Sequence, residues 1–261
     1  MPAEPLFRGV GVALVTLFDE GGGLLAEATA AHAAALVGRG VRAVLVAGTT
    51  GEAAALSAAD RQELVRATRA ALPAGVPLLV GTGHPDPAQA ARLTAAVRDT
   101  GGADAVLALP PPGGSDLVGY YRTVAAAAGG LPVLAYHFPQ ICPPGVPLDV
   151  LPALPVRGVK DSSGDAERLV AELSAYRGEV YVGSSALLAL AGAFGATGAI
   201  LALANLEPQR CAEAFDGSLA AQRDLLAAHL RAHVDFPAGL KRELAARGGT
   251  PATVRVPAAV T

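Results

Sequence analysis

Eight short apolar runs, each bounded by glycine or proline, recur at positions 10–17, 43–47, 78–81, 105–109, 133–136, 156–160, 180–183 and 199–203. Most are continuous rather than alternating, which marks strands covered on both faces, as in parallel sheets. Between them lie Ala-, Leu- and Arg-rich stretches with helical spacing, such as 60–72 and 88–100. Helix starts are well signed. Ser57 and Asp60 have the spacing of a capping box, and Asp86 precedes a proline at the first helical position. Asp165 is placed to cap or charge the helix after 156–160. The strand-then-helix unit comes eight times, at roughly 20 to 30 residues each, as parallel crossovers require. Eight such units predict a TIM (β/α)8 barrel rather than an open doubly wound sheet. The absence of a strand–GxGxxG–helix fingerprint and of a P-loop weakens a nucleotide-binding reading.

After Leu206 the pattern turns purely helical, with helices expected near 208–215, 219–234 and 238–246 and a break at Pro237. The expected organisation is a barrel over 1–206 and a small C-terminal helical appendage over 207–261, packed on it. Leu219, Leu226, Leu230 and Val234 give one of these helices an apolar stripe, expected to pack inward. The segment 183–206 carries no charge and has the length of a membrane span. Three glycines interrupt it and Ser184, Ser185, Thr197 and Asn205 add polarity, so it reads as a buried helix, a turn and a buried strand.

Composition narrows the function classes. Hydrophobic residues make up 52% of 261 residues, enough for a sizeable core, and the net charge of −3 comes with no basic run, which speaks against nucleic acid. Two cysteines, Cys142 and Cys211, are too few for a disulfide framework and favour a reducing, cytoplasmic setting. The N-terminus lacks a basic region followed by an apolar core, so no signal peptide is expected.

The cations are more informative. There are eighteen arginines and two lysines, and one lysine, Lys160, ends a predicted strand just before a turn into a helix. Arginine cannot lose its proton at working pH, whereas a desolvated lysine can. Working residues of a TIM barrel sit at the strand ends. There the chain offers Gly48-Thr49-Thr50-Gly51-Glu52, Gly81-Thr82-Gly83, Tyr136-His137-Phe138-Pro139, Lys160-Asp161-Ser162-Ser163 and Gly183-Ser184-Ser185. This set suits 2-oxo-acid chemistry. The amine of Lys160 attacks a ketone to form an imine. Tyr136 shuttles protons, and Thr49 and Thr50, with the N–H groups of their glycine-flanked turn, hold a carboxylate. Attack requires a neutral amine, so burial is expected to bring Lys160 well below the reference pKa of about 10.4.

The ordered set GTTGE, Tyr-x-x-Pro, GVKDSSGD and GxxGAILALANL resembles the dihydrodipicolinate synthase/N-acetylneuraminate lyase family of class I aldolases, over positions 6–257. The resemblance implies that Lys160 is the Schiff-base lysine, Tyr136 the proton-relay tyrosine, and Thr49 and Thr50 the carboxylate ligands. Gly48, Gly183 and Ile200 would line the substrate pocket. It also implies a pyruvate-like substrate, no cofactor and no metal, and a homo-oligomer, dimer or tetramer. GVKDSSGD and ALANL look most like the hydroxy-oxo-acid aldolase branch. The chain departs from the synthases of the family at three places. Ile141 stands where they carry an arginine, Pro111-Pro112 where a tyrosine pair is usual, and His137 where an asparagine follows the catalytic tyrosine. Two alternatives stay open: true dihydrodipicolinate synthase activity, and a non-catalytic barrel that binds a 2-oxo acid or sugar acid. Glu52 is expected to be a structural hydrogen-bond partner, His229 and His233 to lie on a solvated helix face, and Cys142 to be a free thiol near the site entrance. His84 is a lesser candidate for substrate binding, and His137 either faces the pocket or packs behind it.

Overall fold

The eight apolar runs form β1 (Gly9–Ala13), β2 (Val44–Val46), β3 (Leu78–Gly81), β4 (Ala105–Ala108), β5 (Val133–His137), β6 (Gly158–Asp161), β7 (Glu179–Val182) and β8 (Gly198–Leu201). In the computed structural model, which describes residues 4–114, 116–248 and 250–255, these strands close into one parallel barrel in sequence order. The expected TIM barrel is the observed architecture. The first strand is shorter than its apolar run. Past Ala13 the chain stays buried but leaves the ladder, because side chains take over its backbone: Val15 N donates to Asn205 Oδ1 at 3.2 Å and Leu17 N to Thr29 Oγ1 at 3.0 Å.

The helices are α1 (Ala26–Gly38), α2 (Ala58–Ala71), α3 (Pro87–Thr100), α4 (Leu117–Ala128), α5 (Ala166–Ala175), α6 (Leu188–Ala193), α7 (Pro208–Phe215), α8 (Leu219–His233) and α9 (Ala238–Gly248). The capping box of Ser57 and Asp60 is present, Asp86 caps α3, and Asp165 caps α5 by accepting from Glu167 N and Arg168 N. The repeat fails once. Between β5 and β6 there is only a short 3-10 turn, Leu151–Ala153, and no α-helix. The connection carries six prolines between 139 and 155, and each removes a donor and clashes with the preceding helical turn.

Period-two alternation divides the core in two. Outward residues such as Val12, Val80, Ala135 and Val159 join the helices in one large cluster. Inward residues, including Phe7, Leu45, Leu107, Leu134, Tyr136, Tyr181 and Ile200, fill the barrel. Phe7 closes its lower end by stacking on Tyr181, ring centres 4.6 Å apart. Cys211, Ala214, Leu225, Leu240 and Leu244 of α7, α8 and α9 belong to the outer cluster, so the C-terminal helices share the barrel's core. Positions 256–261 of the appendage, with Pro257 of the resemblance, lie outside the described residues. The stripe on α8 does not pack as expected: Leu219, Leu226, Leu230 and Val234 are 63%, 52%, 60% and 63% exposed, and α8 instead buries Ala221, Leu225, Ala228 and Ala232. Small alanines let this helix sit close to its neighbours. The uncharged segment 183–206 is cut into α6 and β8, and no helix among the described residues is long and apolar enough to cross a membrane.

Candidate active site

Strand geometry brings the amine and the phenol together. Val159 faces the helices, so its neighbour Lys160 faces into the barrel; on β5, Ala135 faces out and Tyr136 in. Tyr136 and Lys160 are register partners on adjacent strands. Lys160 Nζ lies 3.4 Å from Tyr136 Oη and 4.4 Å from the centre of its ring. Both side chains are only 4% exposed. Ile200, one residue before the end of β8, also faces the interior. Gly183 follows β7 and donates its N–H to Asp161 O at 2.5 Å; a side chain there would start 1.9 Å from Ser162 Oγ.

The carboxylate-binding candidates sit at the same mouth, just past β2. The 48–52 turn closes on itself through Gly51 N to Gly48 O, Glu52 N to Thr49 O and Ala53 N to Gly48 O, at 3.0, 3.0 and 3.2 Å. These bonds use the N–H groups of Gly51, Glu52 and Ala53 and not those of Thr49 and Thr50. Gly51 leaves room for its neighbours, since a Cβ would lie 3.0 Å from both Leu14 O and Thr16 Oγ1 and press on them. Gly48 and Thr50 are buried and Thr49 is half-buried.

The next residue on each central strand faces the other way. His137 and Asp161 are register partners behind the site. His137 Nδ1 accepts from Val146 N at 2.9 Å, so the imidazole packs behind the pocket and not in it. Burial, and then the Arg168 guanidinium, lowers its pKa to about 4. Asp161 Oδ1 accepts from Ser163 N at 2.7 Å, and its Oδ2 lies 3.3 Å from Arg168 Nε. Arg168 also bonds Glu172 Oε1 at 2.7 Å. Glu172 is wholly buried beside a second carboxylate, which pushes it well above the usual carboxylate range.

Several supporting residues escaped the sequence reading. Tyr120 and Tyr121 belong to α4, and both reach the strand ends. Tyr121 Oη donates to Ala108 O at 2.9 Å and accepts from Tyr136 N at 3.4 Å, while Tyr120 Oη donates to Leu109 O at 2.7 Å. Burial raises both phenols well above their ordinary value, which keeps them donors. Arg61, buried on α2, donates to Gly81 O at 3.0 Å and Ala53 O at 2.6 Å. The one available signal was an arginine on the sheet-facing side of a helix.

Other expectations are corrected or sharpened. Glu52 is a structural partner, accepting from Arg255 N at 2.8 Å. Cys142 is a free thiol, as expected, but it is enclosed: it is 1% exposed and its thiol donates to Pro110 O. His84 is exposed and serves its own turn, with Nδ1 accepting from Asp86 N at 3.0 Å. His229 is half-buried rather than fully solvated; its Nδ1 lies 2.7 Å from Ser185 Oγ, and burial lowers its pKa to about 4. His233 is exposed and bonds His229 O at 2.7 Å. Ile141 is 47% exposed and brings no charge to the loop after β5.

A sequence profile described as the Dihydrodipicolinate synthetase family matches residues 6–255. The chain belongs to that family. It is therefore an enzyme, a lyase of the aldolase type. Among its relatives is a 4-hydroxy-tetrahydrodipicolinate synthase of Methanospirillum hungatei, 31% identical over 226 residues that cover 82% of this chain and 77% of that protein. An uncharacterized DapA-like lyase of Halobacterium salinarum is 32% identical over 248 residues, covering 92% and 81%. Among solved structures, a chloride-inhibited dihydrodipicolinate synthase of Acinetobacter baumannii complexed with pyruvate superposes with a TM-score of 0.88 at 25% identity, covering 97% of this chain and 93% of that one.

Proposed function

We propose that this family member is a Schiff-base-forming lyase acting on a pyruvate-like 2-oxo acid, of the hydroxy-oxo-acid aldolase branch. The observation that carries the reading is the pairing of Lys160 Nζ with Tyr136 Oη, 3.4 Å apart, on neighbouring strands inside a closed barrel. Lys160 Nζ adds to the keto carbon, and Tyr136 passes a proton to the departing oxygen, which leaves as water. The protonated imine then draws electrons from the bond beside C3. In cleavage, the hydroxyl proton of the leaving fragment passes to Tyr136, the resulting enamine is protonated at C3, and hydrolysis returns pyruvate and free Lys160. Thr49 and Thr50, with the N–H groups of their turn, hold the carboxylate and so fix the keto carbon within reach of the amine. Gly48, Gly183 and Ile200 line the pocket. This chemistry calls on no cofactor and no metal.

The pyruvate complex of the Acinetobacter relative supports the substrate class. Exposed Ile141, in place of a cation for a second carboxylate, speaks for an aldehyde partner without an acidic group. We also read the chain as a homo-oligomer, supported by the exposed apolar stripe of α8. The buried free thiols of Cys142 and Cys211 are in keeping with a cytoplasmic setting. The test is turnover on a panel of 4-hydroxy-2-oxo acids, read as pyruvate release, beside condensation of pyruvate with aspartate semialdehyde. Release from the panel with no condensation is expected. Robust condensation would replace this reading with the synthase activity.

A further inference from the structure

Both lysines of the chain are buried, and only one has a role in the chemistry above. The other, Lys241 on α9, is wholly enclosed. Its Nζ pairs with Glu52 Oε1, donates to Thr253 O at 2.6 Å and lies 4.5 Å from the centre of the Phe18 ring. The other oxygen of Glu52 accepts from Arg255 N at 2.8 Å. The Arg255 guanidinium in turn bonds Gly22 O, Ala55 O and Asp60 Oδ2 at 3.0, 3.2 and 2.8 Å. A buried ammonium is costly unless paired, so it marks a place where position matters.

Glu52 ends the 48–52 turn. Its φ is 59°, and Ala47 just before the turn has φ of 53°. Both lie in the left-handed region that glycine adopts freely and other residues avoid. Such residues persist where their surroundings over-determine them. Ala47 sits against β3, where a Cβ on Gly81 would fall 2.0 Å from Ala47 O, and Arg61 Nη1 donates to that carbonyl at 3.4 Å. Glu52 is held by Lys241 and by the backbone N–H of Arg255. Thr49 and Thr50 are thus suspended between two left-handed residues, each fixed from outside the turn.

We propose that Lys241 is a positioning residue that, through Glu52, fixes the 48–52 turn in the conformation that receives the substrate carboxylate. This rests on the reading of Thr49 and Thr50 as the carboxylate anchor. It makes the C-terminal helices part of the substrate site without any contact to substrate. The distant pairing is specific: an ammonium from α9 meets the single acidic side chain of the turn, and the chain that follows α9 satisfies its other oxygen.

The test uses full-length wild type, Lys241→Met, Lys241→Arg and Glu52→Gln, with the initial rate of borohydride-dependent pyruvate incorporation measured against pyruvate concentration. Losing a charge-assisted contact at the turn is expected to raise the half-saturating pyruvate concentration about tenfold or more in Lys241→Met and Glu52→Gln, while the saturating rate stays within about threefold. Lys241→Arg, which keeps the cation, recovers part of the loss. If Lys241→Met does not fold, the isosteric Glu52→Gln carries the comparison. Folded variants with unchanged half-saturation and only a lower melting temperature would overturn the proposal. Wild type that incorporates no pyruvate would overturn the imine reading and this proposal with it, so the two failures are told apart.

Discussion

The role proposed for Lys160 rests on what Tyr136 adds to it. The β5–β6 register sets the phenol directly against the amine inside the barrel. Tyr136→Phe keeps the ring that packs 5.7 Å from Phe138 and deletes only the hydroxyl. Turnover is expected to fall about 10²–10⁴-fold, the range for a lost acid–base group. Steady-state kinetics on the best substrate of the panel checks it, and a loss under threefold would remove Tyr136 from the relay. At this scale the sequence was most legible at strand ends. The TIM-barrel rule places Lys160 and Tyr136 at strand ends on one mouth of the barrel. It was least legible where partners come from distant segments. Nothing local to Glu52 points to Lys241 or Arg255, and nothing near Tyr136 points to the Tyr121 hydroxyl that accepts from its N–H.

The elements behind the site set its response to pH. His137 on β5 and His229 on α8 both have pKa values lowered to about 4, chiefly by burial, against about 6.5 in an unfolded chain. Their folded values are depressed, so unfolding takes up protons between these limits and stability drops as pH falls from about 6.5 to about 4. Glu172 on α5 works in the opposite sense. Its folded pKa is raised, so its contribution is present at acid pH and is lost as pH rises through the folded value. Urea midpoints across pH 4–7 are expected to slope downward toward acid in wild type and less so in His137→Asn. An equal slope in the two proteins would show that His137 is not a source of it. The elements themselves were legible because apolar runs and caps carry strong local signals. The missing helix between β5 and β6 was misread by counting repeats, although its prolines were in plain view. The α8 stripe was misread because spacing shows that a helix has an apolar face and not which face its small alanines turn inward.

For the molecule as a whole, that exposed face has consequences. Four large apolar side chains on one exposed helix face form the kind of patch that a second copy would cover. Because these positions are exposed, Leu226→Glu with Leu230→Glu is expected to change monomer stability little. Light scattering is expected to show an oligomer for wild type and a smaller species for the double variant. A wild type that is monomeric at tens of micromolar would contradict the oligomer reading. The barrel and its C-terminal helices share one core, and the Lys241–Glu52 pair ties α9 to the mouth. Stability of the appendage and affinity at the site are therefore expected to change together.

The most direct test of the central claim is chemical trapping. Wild type, Lys160→Ala and Lys241→Met are incubated with pyruvate and borohydride, digested, and mapped by mass spectrometry. One reduced pyruvyl group on Lys160 is expected in wild type and in Lys241→Met, and none in Lys160→Ala. No adduct in wild type, or an adduct that survives in Lys160→Ala, would contradict the account.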